Sequence, residues 1–295
     1  MKTKTAMITI AGRPNVGKST LTNHLVGEKI AIVSNKPQTT RNRICGIVTR
    51  ETTQFVFVDT PGFHKSRTKL GDYMVNVAKE SIADVDLTIL VVEPIPSVGP
   101  QEEALIEQVK ARKCPVVLAI NKIDTVEKES LLAVIAAYSK AASFDAIIPI
   151  SAKTGDGVDA LLEVCGKYAV DGPFLFPEDY TTDQPERQVM AEIIREKILW
   201  NLEREVPHGT AVEITRFSER DNGIIDLDAT IYCEKASHKG IIIGKHGDML
   251  KKISTMARTD CEKFMGTRVY LTTWVKVKEN WRDSDFLVRN FGYSE

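Results

Sequence analysis

Residues 12–19 read GRPNVGKS, and this spacing of glycine, lysine and serine is typical of a loop that binds phosphate. Backbone N–H groups would surround the phosphate oxygens, Lys18 would reach the β and γ phosphates, and Ser19 would hold Mg²⁺. An ordinary glycine turn shares the pattern, but runs 7–11 and 18–26 predict the strand and the helix that a phosphate loop requires on its two sides. The predicted nucleotide contacts here are Gly12, Arg13, Pro14, Asn15, Val16, Gly17, Lys18, Ser19 and Thr20.

Two further segments carry groups that suit a metal-bound nucleotide. Residues 54–58 read as a buried strand that ends in the sequence DTPG, where an aspartate can hold a metal and Gly62 can approach a γ phosphate. Pro-Gly is also a common turn pair. The polar loop 28–44 contains Thr39 and Thr40, either of which could close over the metal. The predicted metal ligands are Ser19, Thr40 and Asp59, the predicted catalytic residues are Lys18, Thr40 and Gly62, and Thr39, Thr60 and Pro61 are further predicted nucleotide contacts.

A third segment indicates which base is bound. The apolar run 115–120 is followed by NKID, in which the Asp124 carboxylate could accept hydrogen bonds from both the ring N–H and the exocyclic amine of guanine. Adenine offers neither donor at those positions. The same four residues could instead be an incidental helix cap. The predicted base contacts are Asn121, Lys122 and Asp124, together with Ser151, Ala152 and Lys153 after the strand 146–150.

These motifs all follow apolar strands that alternate with amphipathic helices. Such alternation predicts an α/β fold, a P-loop NTPase with a mostly parallel sheet covered by helices on both faces. Ligands of such sheets bind outside the carboxyl ends of the strands, which is where the motifs fall. The predicted strands are 7–11, 54–58, 87–92, 115–120 and 146–150, and the predicted helices are 18–26, 68–83, 101–111 and 158–168.

Composition limits the class of protein. The 295 residues with 43% hydrophobic content suffice for two domains, and 39 basic against 40 acidic residues exclude a polycation that binds nucleic acid by overall charge. The five cysteines are scattered, so we expect reduced thiols and no structural zinc. The first apolar run continues into the phosphate loop, and no segment is long enough to cross a bilayer. We therefore expect a cytoplasmic protein, with peripheral membrane contact left open.

The remainder of the chain predicts a smaller α+β domain. Residues 171–185 are rich in proline, glycine and acids, which suits a linker. A helix is predicted over 186–204, with Leu199 or Trp200 in its core face, and the alternating runs 211–217 and 225–231 predict an antiparallel pair of strands.

The sequence IGKHG at 243–247 is the candidate nucleic-acid contact of this domain. A helix is predicted over 248–264 and an alternating strand over 268–277. The turn could be a plain packing turn, but its lysines and the positive end of the following helix would meet RNA phosphates, while bases lie in an apolar groove. The predicted RNA contacts are Ile243, Gly244, Lys245, His246, Gly247, Lys251 and Lys252.

The motifs occur in the order seen in small GTPases, and PNVGKS with QTTR resembles the bacterial branch that includes Era, EngA and MnmE. The second domain resembles a type II KH domain, and a GTPase joined to a KH domain resembles the Era family over essentially the whole chain. The predicted division is 1–171 for GTP binding, 172–185 as linker, and 186–295 as KH domain with a C-terminal tail. The resemblance implies GTP or GDP with Mg²⁺, binding to the 3′ region of 16S rRNA, and a monomer that acts in 30S subunit assembly, partly at the inner face of the cell membrane.

Two positions bear on the rate of hydrolysis. Phe63 follows the DTPG segment and cannot orient water as a glutamine does, so intrinsic hydrolysis should be slow. Asn15 resembles the potassium-coordinating asparagine of related GTPases, which predicts stimulation by K⁺. Segment 62–83 is predicted to move when the γ phosphate leaves.

Two other functions remain open from sequence. One is an RNA-modifying GTPase of the MnmE kind, although the chain contains no second catalytic constellation. The other is a constitutive RNA-binding adaptor in which the nucleotide pocket is only structural.

Overall fold

The computed structural model describes residues 2–62, 68–80 and 85–293, and their contacts divide them into two compact units. The N-terminal unit contains 2–31, 40–62, 74–80 and 85–183. The C-terminal unit contains 184–293 together with 32–39 and 68–73. Phe63 and parts of the predicted movable segment 62–83 lie outside the described residues. No helix of the described chain has the length and apolar character to cross a membrane.

The N-terminal unit is built on one sheet in the order β2-β3-β1-β4-β5-β6, with β7 paired to β1. Strands β1, β3, β4, β5 and β6 are parallel to one another, while β2 is antiparallel to β3 and β7 is antiparallel to β1. The prediction of a mostly parallel sheet is therefore confirmed. The strands are β1 (Lys4–Gly12), β2 (Ile44–Arg50), β3 (Thr53–Asp59), β4 (Leu87–Val92), β5 (Val116–Ile120), β6 (Ala146–Pro149) and β7 (Val170–Asp171).

Helices cover both faces of this sheet because alternate strand residues point to opposite sides. Leu21 of α1 and Leu161 of α5 pack with Ile89 in one buried cluster, whereas Leu105 of α3 and Val134 of α4 belong to the other. The helices are α1 (Lys18–Val26), α2 (Lys69–Glu80), α3 (Pro100–Lys110), α4 (Ser130–Ala141) and α5 (Val158–Gly166).

Some elements of this unit were not predicted. Strand β2 begins at the last residue of the predicted loop 28–44 and continues through a stretch for which no element is predicted, and α4 also lies in such a stretch. Two residues of the predicted linker, Leu175 and Phe176, donate from their backbone N–H groups to the Gln54 side chain of β3, at 2.8 and 3.0 Å. Residues 172–183 therefore pack within the N-terminal unit.

The C-terminal unit has the predicted order of helix, two strands, two helices and a strand. Its sheet runs β10-β9-β8, with β8 antiparallel and β10 parallel to β9. Leu199 is fully buried and Trp200 is exposed, which resolves that alternative. The elements are α6 (Glu186–Asn201), β8 (Ala211–Glu219), β9 (Ile225–Cys233), α7 (Ala236–Ile243), α8 (Asp248–Met265), β10 (Val269–Val277) and α9 (Asp285–Asn290).

Candidate functional site

The phosphate loop joins the end of β1 to the start of α1. Gly17 has φ of 101°, and a Cβ at this position would lie 2.2 Å from Nδ2 of Asn121. A side chain at Gly12 would meet the Val91 carbonyl oxygen at 2.6 Å. Only glycine fits these two positions, and the loop leads into the N-terminus of α1, where backbone N–H groups favour an anion.

Lys18 is buried at the start of α1 and is held by the loop itself. Its Nζ donates to the carbonyl oxygens of Gly12 at 3.1 Å and Arg13 at 2.9 Å. Burial lowers the pKa of Lys18 to about 8, and the charge of Asp59 partly opposes that shift. A phosphate beside this ammonium group would favour its charged form.

Three oxygen-bearing side chains converge next to Lys18. Ser19 Oγ donates to Oδ2 of Asp59 at 2.6 Å and lies 2.8 Å from Oγ1 of Thr40. Among the described residues, the buried Oδ1 of Asp59 has no hydrogen-bond partner. Burial raises the pKa of Asp59 to about 6, against the effects of Lys18, Ser19 and the Thr60 backbone. Two hydroxyls and a carboxylate form an all-oxygen set that fits Mg²⁺.

The two adjacent threonines have different environments. Oγ1 of Thr39 donates to the Lys36 carbonyl oxygen at 2.6 Å, whereas Thr40 lies with Ser19. The geometry therefore favours Thr40 as the residue that faces the metal. Gly62 lies against the phosphate loop, since a Cβ there would meet Pro14 at 2.9 Å.

The predicted base-binding residues connect two loops at the same edge of the sheet. Asn121 donates from Nδ2 to the Val16 carbonyl oxygen at 2.8 Å, and its Oδ1 accepts from the Ala152 N–H at 2.9 Å. Ser151 Oγ donates to Oδ1 of Asp124 at 2.8 Å. Asn121 thus fixes the phosphate loop relative to the loop after β6, and Ser151 orients the carboxylate expected to recognise guanine.

Sequence reasoning missed two glutamates in this site. Glu93 is 2.5 Å from Nζ of Lys122 and 3.4 Å from Nη2 of Arg13, and Glu102 is 2.5 Å from Nε of Arg13. The first of these acids could have been found, because it directly follows β4 at the carboxyl edge of the sheet. Lys153, predicted as a base contact, is exposed.

The IGKHG turn of the C-terminal unit connects α7 to α8. Gly244 has φ of 75°, and a Cβ there would lie 2.6 Å from Cβ of Met249. Gly247 has φ of 85° and caps the 18-residue helix α8. Both glycines have positive φ angles that other residues disfavour, so the turn holds its exposed tip at the positive end of a long helix.

Four basic residues surround this turn. Lys245, His246, Lys251 and Lys252 lie at its surface, and Ile243, at the end of α7, is partly buried against the core of the unit. The local arrangement places the predicted RNA contacts on one turn and the first turns of one helix, with apolar surface beside them. Such a surface suits phosphates and unpaired bases.

Two family models match the chain. Residues 7–122 match a family described as 50S ribosome-binding GTPase, and residues 205–282 match the KH domain. GTPase Era of Ruminiclostridium cellulolyticum is 54% identical over 293 residues, covering 99% of this chain and 98% of that protein. GTPase Era of Clostridium acetobutylicum is 54% identical over 290 residues, with 98% of each chain covered.

Solved structures give the same result. The chain matches Era in complex with MgGDPNP and nucleotides 1506–1542 of 16S ribosomal RNA, with a TM-score of 0.95, 37% identity, and coverage of 99% of this chain and 100% of that one. It matches a single-residue variant of Aquifex aeolicus Era bound to GDP and AlF4⁻ with the same score, identity and coverage.

Proposed function

This chain belongs to the Era family of GTPases, and from that premise we propose that it is a GTP-hydrolysing switch that binds the 3′ region of 16S rRNA and acts in 30S subunit assembly. The observation that carries the proposal is the convergence of Lys18, Ser19, Thr40 and Asp59 at the sheet edge where Asp124 and Ser151 also meet. The same chain carries the GxxG turn of a KH domain.

In the proposed nucleotide site, each group has one role. Lys18 neutralises the β and γ phosphates, and the Gly62 N–H contacts the γ phosphate as it leaves. Ser19, Thr40 and Asp59 would hold Mg²⁺, which supplies charge stabilisation to the phosphates when bound. Asp124 selects guanine because its carboxylate accepts from both base donors.

The RNA assignment depends on the C-terminal unit. An Era protein 37% identical to this chain is solved with nucleotides 1506–1542 of 16S rRNA. The glycine turn and the surface lysines Lys245, Lys251 and Lys252 support the same partner here. A KH groove binds unpaired nucleotides, so the 3′ end of the rRNA is its proposed ligand.

The first experiment measures multiple-turnover hydrolysis of GTP and of ATP by the full chain. We expect slow turnover with GTP and none with ATP. Turnover with ATP, or GTP binding without turnover, would contradict the switch, and the second result would favour a constitutive adaptor.

The second experiment measures binding of three RNAs: an oligonucleotide that carries the 3′ end of 16S rRNA, one with the same composition in scrambled order, and tRNA. Preference for the rRNA sequence supports the proposed partner. Preference for tRNA over both oligonucleotides would instead favour an RNA-modifying GTPase of the MnmE kind.

We propose a monomer that resides in the cytoplasm, with a peripheral fraction at the inner face of the membrane, as the Era resemblance implies. Its proposed ligands, GTP and ribosomal RNA, occur in that compartment. Light scattering tests the monomer, and cell fractionation with a salt wash tests the peripheral fraction. A dimer, or a membrane fraction that salt does not release, would contradict these points.

A further inference from the structure

Helix α6 contains three consecutive buried charged residues. Arg195 and Glu196 are 0% exposed and Lys197 is 1% exposed. Burying a charged group costs free energy unless the group is paired and hydrogen-bonded, so each of these residues needs a partner. Lys197 pairs with Glu196 at 2.7 Å and with Asp260 of α8 at 2.5 Å. Arg195 and Glu196 form hydrogen bonds with backbone groups of residues 32–39, which we call the threonine segment.

Val33, near the start of the threonine segment, is hydrogen-bonded to two side chains of α6. The N–H of Val33 donates to Oε1 of Glu196 at 2.8 Å, and the carbonyl oxygen of Val33 accepts from Nε1 of Trp200, also at 2.8 Å. Both backbone groups of one residue are thus held by side chains of the same helix. Val33 is therefore held by the helix through its backbone, whereas the backbone of a solvated loop would be hydrogen-bonded to water.

The middle of the segment is held at the C-terminus of the helix. Nζ of Lys36 donates to the carbonyl oxygens of Leu199 and Leu202. These carbonyls lie at the C-terminal end of α6, where the helix dipole favours a cation.

The last residue of the segment is held by Arg195. Nη2 of Arg195 donates to the carbonyl oxygen of Thr39. The guanidinium also donates to the Glu192 carboxylate, from Nε at 2.8 Å and from Nη2, which fixes its orientation. That carbonyl belongs to the peptide plane that carries the N–H of Thr40. The hydroxyl of Thr40 in turn lies 2.8 Å from Oγ of Ser19. Fixing the peptide therefore restricts where the Thr40 hydroxyl can be.

We propose that Arg195 is a positioning residue for GTP, one that holds the peptide between Thr39 and Thr40 so that the Thr40 hydroxyl faces Ser19 and Asp59. The inference rests on the proposed nucleotide site. Preorganisation lowers the cost of closing this peptide over the γ phosphate and its metal. GDP lacks the γ phosphate, so its binding does not require this closure. Loss of Arg195 should therefore weaken GTP binding more than GDP binding.

The experiment compares Arg195→Met, Arg195→Lys and wild type in the full chain. Methionine keeps the length and loses every donor, whereas lysine keeps the charge but cannot serve Glu192 and the Thr39 carbonyl through a fork. The matched control is Arg282→Met, which breaks an ion pair with Glu234 (2.6 Å) in the same unit. Dissociation constants are measured for GDP and for a non-hydrolysable GTP analogue with Mg²⁺, along with the single-turnover rate.

We expect Arg195→Met to bind the GTP analogue about tenfold more weakly or hydrolyse GTP about tenfold more slowly, with GDP affinity changed less than about twofold. Arg195→Lys should lie between it and wild type, and the control should match wild type. Without nucleotide, backbone amides of 33–40 should exchange hydrogen faster in Arg195→Met than in the control. This readout does not depend on activity.

Equal loss of GDP and GTP-analogue affinity, or no loss of either together with an unchanged single-turnover rate, would overturn the proposal and assign Arg195 a packing role. If Arg195→Met does not fold, the comparison is decided by Arg195→Lys, for which unchanged affinities and unchanged exchange would overturn it. Failure of the wild-type protein to bind GTP would be a failure of the proposed function, so the two results are distinguishable.

Discussion

At the scale of single residues, the candidate site is defined by buried charge. Lys18 and Asp59 are both withdrawn from water, which moves the pKa of the amine down and that of the carboxyl up. Shifts of this kind are typical of groups poised for a charged ligand. A phosphate beside the amine and a divalent cation beside the carboxylate would each restore the charged form.

Lys18→Ala should weaken binding of GTP and GDP about 100-fold, because it removes the buried cation that we predict donates to the phosphates. The measurement is titration with a fluorescent guanine nucleotide. Lys140→Ala, on an exposed position of α4, is the control and should bind as wild type. Wild-type affinity in Lys18→Ala would count against the phosphate loop.

The pKa of about 6 at Asp59 predicts that Mg²⁺-dependent affinity for GTP is complete well above pH 6. Because the metal binds the carboxylate and not the acid, this affinity should fall about tenfold per pH unit below that value. Asp59→Asn should lack this component. Phosphate groups of the nucleotide titrate in the same range, so the difference in slope between the two proteins is the quantity to measure. Identical slopes would exclude Asp59 as a ligand.

GTP hydrolysis should be several-fold faster in K⁺ than in Na⁺ at equal ionic strength. Asn15 has φ of 66° in the phosphate loop, and its side chain carries an amide oxygen that can bind a monovalent cation beside the phosphates. Steady-state rates in the two salts test this, with Asn15→Ala expected to remove the difference. Equal wild-type rates would refute it.

Lys18 and Asp124 are predicted from sequence because the chemistry of phosphate and guanine binding fixes their residue types, and the structure places both at the carboxyl edge of the sheet. The sequence does not separate Thr39 from Thr40, because both offer the same hydroxyl and only tertiary contacts distinguish them. Arg195 carried no local signal either. A basic residue in a helix is usually solvated. The buried Arg195 instead contacts the threonine segment, which lies more than 150 positions away in the sequence.

At the scale of elements, two glycines of the C-terminal unit should respond oppositely to alanine. Gly244→Ala should lower the free energy of unfolding by about 1–3 kcal/mol, since a Cβ would lie 2.6 Å from Met249 and φ is 75°. Gly240→Ala, in helix α7 with nothing within 4 Å, should raise it by about 0.5–1 kcal/mol. Urea denaturation measures both. Equal effects would show that the turn is not constrained.

Most strands and helices could be predicted because their apolar residues repeat with a clear period. Strand β2 was missed because it is the antiparallel partner of β3, and that pairing is set by register across the sheet rather than by its own sequence. Residues 172–183 resemble a linker in composition, yet Gln54 holds their backbone. Composition reports how a segment could behave alone, and tertiary contacts decide where it packs.

At the scale of the whole molecule, the two units are not consecutive in sequence. Residues 32–39 and 68–73 cluster with the C-terminal unit although both are flanked by the nucleotide motifs. Within that unit, Nζ of Lys69 lies 3.7 Å from Oδ2 of Asp285, and the rings of Tyr73 and Tyr293 are 6.3 Å apart. Two segments of the GTPase sequence, a loop and the start of α2, thus cluster with the unit that carries the GxxG turn, which sequence order could not reveal.

These two segments are the basis for a prediction of coupling between nucleotide state and RNA affinity. They belong to the C-terminal unit and are joined by the backbone to the nucleotide motifs, so we predict that a change in their conformation with the γ phosphate links the free energies of the two binding events. Linkage is reciprocal, and RNA should therefore alter the relative affinity for GTP and GDP by the same factor.

The most direct test is the affinity of the full chain for an RNA oligonucleotide carrying the 3′ end of 16S rRNA, measured by anisotropy with a GTP analogue and with GDP. We expect at least about a fivefold difference in RNA affinity between the two states. In Lys18→Ala, neither nucleotide should change RNA affinity. Equal RNA affinity of the wild-type chain in both states would contradict the central claim that the γ phosphate controls RNA binding.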